Sequence, residues 1–262
     1  MDKESSKEGI ALIGFGSSRP YNKEAMMHNI NLLKKAGVKN TYYSFIGREG
    51  PTVSDMMESV MKDDIDKLTV IPFLMATGEM SLKYIPEKMG ITGRYGEHII
   101  ESPRKLEIIY KRPIGESPKV AEMLDDMIRH SPAGKGKKAI MLITHGSKVG
   151  YRSDLMTLTK DRMNKLGYKD IYCASVEFEE PPIEECAEKM VKDGVRHIIA
   201  VPLLLASGIH LKEDIPTALG LKEGMSKGTA RIWDRDIRID ITQPIGKHPM
   251  MADVIKDILE NN

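Results

Sequence analysis

Three side chains in the second half of this 262-residue sequence have the chemistry to act together on a cation: His145, Glu177 and His210. The first two close short apolar runs that read as buried strands, and the third follows such a run after a stretch of small residues. Two imidazoles and a carboxylate suit a borderline divalent transition metal, and three ligands leave positions open for the ion to arrive and depart. Imidazole as a class also carries protons near neutrality.

These three residues belong to a doubled unit. "LIGFGSS" (12–18) and "LITHGSK" (142–148) align with an offset of 145 − 15 = 130. "VIPFLMATGEM" (70–80) and "AVPLLLASGIH" (200–210) keep that offset, and so do Pro51 with Pro181 and Ile85-Pro86 with Ile215-Pro216. Further on, "RPIGESPKVAEMLDDMI" (112–128) matches "QPIGKHPMMADVIKDIL" (243–259) at 243 − 112 = 131, so a single-residue insertion separates the copies. Collinear matches over a whole half indicate internal duplication. Pro and Gly cluster at 131–136, which divides the chain into residues 1–130 and 131–262.

The repeat gives the three residues a contrast. Phe15, Gly47 and Met80 stand where the second copy has His145, Glu177 and His210, so all three competent groups are missing together from the first copy. Joint absence is what loss of one site as a unit produces. Glu79 lies one register away from Met80. The first copy is expected to keep the fold and one wall of a cleft, with Phe15 packed in that wall, so that Phe15→Ala costs stability more than chemistry. The second copy keeps the chemistry. His28, His98, His130, His197 and His248 lack such a contrast and are expected to be structural or exposed.

The elements that must position the trio alternate. Apolar runs at 138–144, 170–176, 196–205 and 237–241 read as strands. Helical spacing marks 151–166, the stretch after Pro181-Pro182, and 249–259, with Gly167 a C-terminal stop. The first half repeats this order. The expected fold class is α/β: two similar domains, each a parallel β-sheet flanked by helices, with a cleft between them. Ligands of such sheets bind beyond the carboxyl ends of the strands, where the trio is placed.

Composition narrows the class. Apolar residues at 41% and charged residues at 29% describe a folded globular chain, and a net charge of +1 points to neither nucleic acid nor an anionic membrane. The apolar run behind the polar N-terminus is too short for a signal peptide or a span. Cys173 and Cys186 fit neither a zinc spacing nor a disulfide framework, so buried thiols in the cytoplasm are expected.

"HGS" at 145–147 and "GIHLKEDIP" at 208–216, in that order and with Glu177 between them, resemble the class II tetrapyrrole chelatases, specifically the sirohydrochlorin cobaltochelatase and nickelchelatase family in its two-unit form. The resemblance spans both halves. It implies a chelatase-like fold and ATP-independent insertion of Co²⁺ or Ni²⁺ into sirohydrochlorin, in cobalamin-type tetrapyrrole biosynthesis. The metal is a substrate, and no cofactor is permanently bound. The family's metal-binding histidines map onto His145 and His210, and its supporting glutamate onto Glu177. Lys148 stands where many members have arginine after HGS, and it meets a carboxylate as a point charge rather than a fork.

A substrate rich in carboxylates needs cationic and N–H partners. Lys148, Arg152 and Lys212 are the side-chain candidates, with the backbone N–H groups of Gly146, Ser147 and Gly208 and the small residue Ser207 around them. A monomer suffices for a fused duplication, and a homo-oligomer is compatible with it; neither nucleic acid nor a membrane is expected as partner. Two other readings stay open: a ferrochelatase-like enzyme on another tetrapyrrole, and a non-catalytic carrier of metal or tetrapyrrole. Aromatic content of 5% favours the polar substrate over a flatter, more apolar one.

Overall fold

The computed structural model describes residues 7–101, 103–131, 136–146 and 152–261. The first repeat runs β1 (Glu8–Gly16), α1 (Tyr21–Lys35), β2 (Thr41–Gly47), α2 (Val53–Lys62), β3 (Lys67–Phe73), a π-helical turn Met80–Tyr84 leading into α3 (Ile85–Met89), β4 (Gly96–Ile100), β5 (Leu106–Tyr110) and α4 (Lys119–Arg129). The second repeats it: β6 (Lys137–Thr144), α5 (Arg152–Lys165), β7 (Ile171–Ser175), α6 (Ile183–Lys192), β8 (Val195–Pro202), a π-helical turn His210–Asp214 leading into α7 (Ile215–Ala218), β9 (Lys227–Ile232), β10 (Arg235–Ile241) and α8 (Met251–Glu260).

Each repeat forms one five-stranded sheet, ordered β2-β1-β3-β5-β4 and β7-β6-β8-β10-β9. Four strands of each are parallel, as expected from the alternation. The fifth, β4 or β9, pairs antiparallel at the edge and escaped the sequence reading. β9 and β10 join through Trp233 and Asp234, both at positive φ. That is the backbone of a two-residue hairpin turn, here without the Asn-Gly or Asp-Gly that would announce it.

Burial follows from the parallel topology. Residues 139–144 of β6 are all buried, because both faces of a crossover sheet are covered. On one face Ala139, Met141 and Ile143 pack with Ile183, Cys186 and Met190 of α6 and with Ile215 and Leu219 around α7. The first sheet is built alike, with Ala11 and Ile13 against Val53, Met56 and Val60 of α2 and Ile85 and Met89 of α3.

The division at 130/131 describes the duplication, and the compact units are composed differently. One unit comprises the chain up to Ser117 together with the segment from Pro249, and the other comprises Pro118–His248. Helix α8 therefore belongs with β1–β5, where it packs against α1 and Asp257 accepts a 2.6 Å hydrogen bond from Ser117. Helix α4 belongs with β6–β10, where it packs against α5 and Asp125 accepts from the Tyr168 hydroxyl at 2.7 Å.

Toward the end of the second sheet opposite the site, where His197 is level with Lys138, lies a buried polar pair. His197 is fully buried, and its Nε2 is 2.5 Å from Asp240 Oδ2, an oxygen that also accepts from Arg238 Nε at 3.0 Å. Desolvation pushes the His197 pKa down, against the opposing pull of Asp240, while Arg238 and Lys138 push the same way as burial. Arg238 already shares the carboxylate's charge, so the imidazole stays neutral and donates. Its native pKa lies below the ordinary value of about 6.5, so the unfolded chain takes up a proton that the folded chain refuses. Stability is full above that value and falls as pH drops below it. Thermal unfolding of wild type should therefore show Tm falling on acidification below about pH 6.5, with a shallower slope in His197→Gln. Equal slopes would contradict this assignment.

Candidate functional site

Where β6 and β7 end, the ladder continues for two more bonds, from Val176 N–H to Thr144 O at 2.9 Å and from Glu177 N–H to His145 O at 3.0 Å. The hydroxyls of Thr144 and Ser175, both buried, lie 3.2 Å apart just beneath. The rim residues His145 and Glu177 are thus neighbours through their backbone, and both are exposed. Gly146 follows at φ +93°, and a Cβ placed there would stand 1.8 Å from Glu177 O. Only glycine permits this turn and this approach.

Residues 176–181 leave the strand and return to it. Ser175 N–H donates to Pro181 O at 3.1 Å, and Glu179 N–H donates to Glu177 O at 2.8 Å. The second bond closes a three-residue turn centred on Phe178, whose φ is +63°. A bulky residue in that region is strained.

His210 arrives from β8 through residues 203–209. Leu203 N–H donates to Ile143 O at 2.7 Å, and Leu204 O accepts from Ile245 N–H at 2.9 Å, which pins the loop to both neighbouring chain segments. His210 then opens the π-helical turn, closed by Ile215 N–H on His210 O. Pro216 has no amide to give to Lys212 O, and Gly224 N–H takes its place at 2.6 Å. The same wide turn occurs at Met80–Tyr84, so it belongs to the fold; only the second copy begins it with a histidine.

The two imidazoles meet edge to face, with ring centroids 4.7 Å apart and planes at 83°. His210 Nδ1 lies 2.6 Å from Asp214 Oδ2 and His145 Nδ1 lies 3.3 Å from Gly146 O. Protein oxygens accept from both Nδ1–H groups, which fixes the tautomer that leaves the lone pair on each Nε2. Two such nitrogens, each bonding at about 2.0–2.1 Å, suit one divalent transition metal. Asp214 orients a ligand, a role the sequence reading did not assign. Asp214→Asn should weaken Co²⁺ binding by roughly 10–100-fold in a spectroscopic titration of the protein alone; unchanged affinity would remove Asp214 from the site.

The other expected residues fall as follows. Glu177 reaches the rim with its side chain exposed, and among the described residues no three His, Cys, Asp or Glu side chains are placed to hold a metal together. What the described residues form is an imidazole pair with an orienting carboxylate. Ser207 and Gly208 are half-buried in the loop before His210, and Lys212 is exposed. The Gly208 N–H, expected to receive a substrate carboxylate, donates instead to Ala206 O at 3.0 Å. Ser147, Lys148 and the Arg152 side chain lie outside the described residues. In the first copy Phe15 is 48% exposed rather than packed as a wall residue, since its strand end carries it beyond the sheet's covered part. Phe15→Ala is accordingly expected to change stability little.

The profile of one protein family matches residues 9–131 and again residues 139–262. The chain belongs to the CbiX family. Its two CbiX repeats are the two halves of the duplication. A sirohydrochlorin cobaltochelatase from Sulfurisphaera tokodaii is 34% identical over 122 residues, covering 46% of this chain and 90% of the relative. One from Methanocaldococcus jannaschii is 34% identical over 137 residues, covering 46% of this chain and 96% of the relative. Among solved structures, SirB from Bacillus subtilis with Fe³⁺ superposes with a TM-score of 0.72 at 19% identity, covering 97% of this chain and 94% of that one. The sirohydrochlorin chelatase SirB in complex with cobalt gives 0.67 at 18%, again over 97% and 94%. At that identity the likeness is one of fold.

Proposed function

We propose that this CbiX chain is an enzyme that inserts a divalent metal, Co²⁺ or Ni²⁺, into sirohydrochlorin without ATP. The observation that carries the reading is the His145–His210 pair, built only in the second repeat, with both Nε2 lone pairs presented. The names of the single-unit relatives support the substrate, each relative matching about one repeat's length of this chain.

The chemistry follows from the residues. The metal exchanges water for two imidazoles, which hold it without enclosing it. The macrocycle's nitrogens then displace the imidazoles one at a time, and two N–H protons leave. An imidazole released from the metal regains a lone pair and accepts a proton, while the Glu177 carboxylate at the rim offsets positive charge. Ligand exchange and proton loss need no phosphoryl transfer, so the reaction does not draw on ATP. No resident cofactor is required, and one chain suffices.

Cytoplasmic placement is part of the proposal. It rests on two thiols, Cys186 buried and Cys173 half-buried, in a chain where no described helix is long and apolar enough to cross a membrane.

The test is an anaerobic absorbance assay with purified protein, sirohydrochlorin and either Co²⁺ or Ni²⁺, with no nucleotide added. Many turnovers above the spontaneous rate are expected. Stoichiometric binding without turnover would replace the enzyme by a carrier. Turnover with Fe²⁺ and protoporphyrin alone would replace the substrate.

A further inference from the structure

Two large apolar side chains stand exposed beside the imidazole pair. Phe178 is 54% exposed with its ring centroid 6.1 Å from that of His145 and its plane tilted 33°, and Ile209, which immediately precedes His210, is 38% exposed. The sister repeat has the same local fold and a different surface. At the common offset, 178 − 130 = 48 and 209 − 130 = 79, and those positions hold Arg48 and Glu79, both exposed. The sister repeat thus carries charged residues at both places.

The backbone adds an independent sign. In the first repeat the positive φ of this loop falls on Gly47, at 111°, where no Cβ objects. In the second it falls on Phe178, at 63°, in a turn closed by the 2.8 Å bond from Glu179 N–H to Glu177 O. A phenylalanine held strained and exposed, where glycine would be relaxed, marks a site at which position matters more than stability.

We infer that Phe178, with Ile209 beside it, is the shelf against which the flat face of the tetrapyrrole lies, a substrate contact distinct from the metal-binding pair. The inference rests on the function proposed above. A conjugated macrocycle offers a large π face, and its ring of carboxylates stays in water at the edge. The Phe178 ring, its centroid 6.1 Å from that of His145 and its plane tilted 33°, gives that π face an apolar surface to rest on beside the imidazole pair, so the macrocycle is held next to the nitrogens that carry the metal.

The experiment compares wild type, Phe178→Ala, Phe178→Gly and Phe178→Tyr. The readouts are fluorescence titration with metal-free sirohydrochlorin, steady-state insertion kinetics, Co²⁺ titration without macrocycle, Tm and oligomeric state. By analogy with stacking of flat heteroaromatic bases, Phe178→Ala and Phe178→Gly should each weaken macrocycle binding about tenfold or more, raising KM far more than they lower kcat. Co²⁺ binding should be unchanged, Phe178→Tyr should bind as wild type, and Phe178→Gly should unfold at or above the wild-type Tm because the strain is relieved. Wild-type macrocycle affinity in Phe178→Ala would overturn the inference and leave the function standing. So would a fall of Tm in Phe178→Gly with affinity retained, or a change of oligomeric state alone. Failure of wild type to bind sirohydrochlorin at all would remove the function and this inference together.

Discussion

Replacing His145 by alanine should abolish metal insertion above the spontaneous rate and leave the protein folded. The residue is exposed beyond the end of β6, and beside its ring contacts with His210 and Phe178 the imidazole makes, among the described residues, one long hydrogen bond, 3.3 Å to Gly146 O. A surface side chain of that kind contributes within about 0.5 kcal/mol to stability. Its chemical share is far larger. Loss of a group that merely orients a metal ligand costs about 10–100-fold, and loss of the ligand itself, from a site with two, should exceed that. The expected result is a fall of kcat/KM of at least about 100-fold with Tm close to wild type, measured by absorbance and thermal unfolding on one preparation. Phe15→Ala, at the same place in the sister repeat, is the matched control and should turn over normally. Unaltered turnover in His145→Ala would remove the assignment.

The second large effect is expected from a single methyl group. Gly146→Ala sets a Cβ 1.8 Å from the backbone oxygen of Glu177, well inside any tolerable contact, at a φ of +93° that L-residues avoid. Left-handed backbone alone costs roughly 1–2 kcal/mol for a residue with a Cβ. The obstacle is a backbone oxygen on the next strand's extension, which cannot swing aside as a flexible side chain would. The extensions of β6 and β7 must part, and with them go the bonds from Val176 to Thr144 and from Glu177 to His145. His145 and Phe178 both ride on those extensions. The expected outcome is a loss of stability of about 2–3 kcal/mol, read as a lowered denaturant midpoint, with Co²⁺ binding weakened at least as severely as in Asp214→Asn and insertion reduced with it. By contrast Gly167→Ala, at a helix end with nothing within 4 Å of the added Cβ and φ of +96°, meets backbone strain without a clash. It should retain activity. Normal activity in Gly146→Ala would show that the rim is more compliant than described.

Much of this architecture could be read before any coordinates. The runs at 138–144 and 196–202 are continuous and apolar because a parallel strand is covered on both faces, and the duplication fixed one half once the other was read. The edge strands were illegible because β9 is largely exposed and turns into β10 through Trp233-Asp234, a dipeptide that carries no turn signature. The partition of helices was illegible for a different reason. α4 and α8 descend from one ancestral segment and keep like apolar faces, so their sequences do not say which sheet each accompanies.

At the site, residue type and the contrast between copies pointed to His145 and His210. Asp214 was overlooked because four residues from a histidine is ordinary helical spacing, and the π-helical turn that aligns the pair leaves no compositional trace beyond Pro216. Phe178 was overlooked because positive φ is read from glycine, and here the sequence withholds it.

The most direct test is a Co²⁺ titration of the full chain, without macrocycle, followed by paramagnetic resonance resolving nitrogens coupled to the bound ion. One ion per chain, coupled to two imidazoles and lost in both His145→Ala and His210→Ala, is the result this account predicts. Two equivalent ions per chain, or one ion whose nitrogen couplings survive both substitutions, would contradict it.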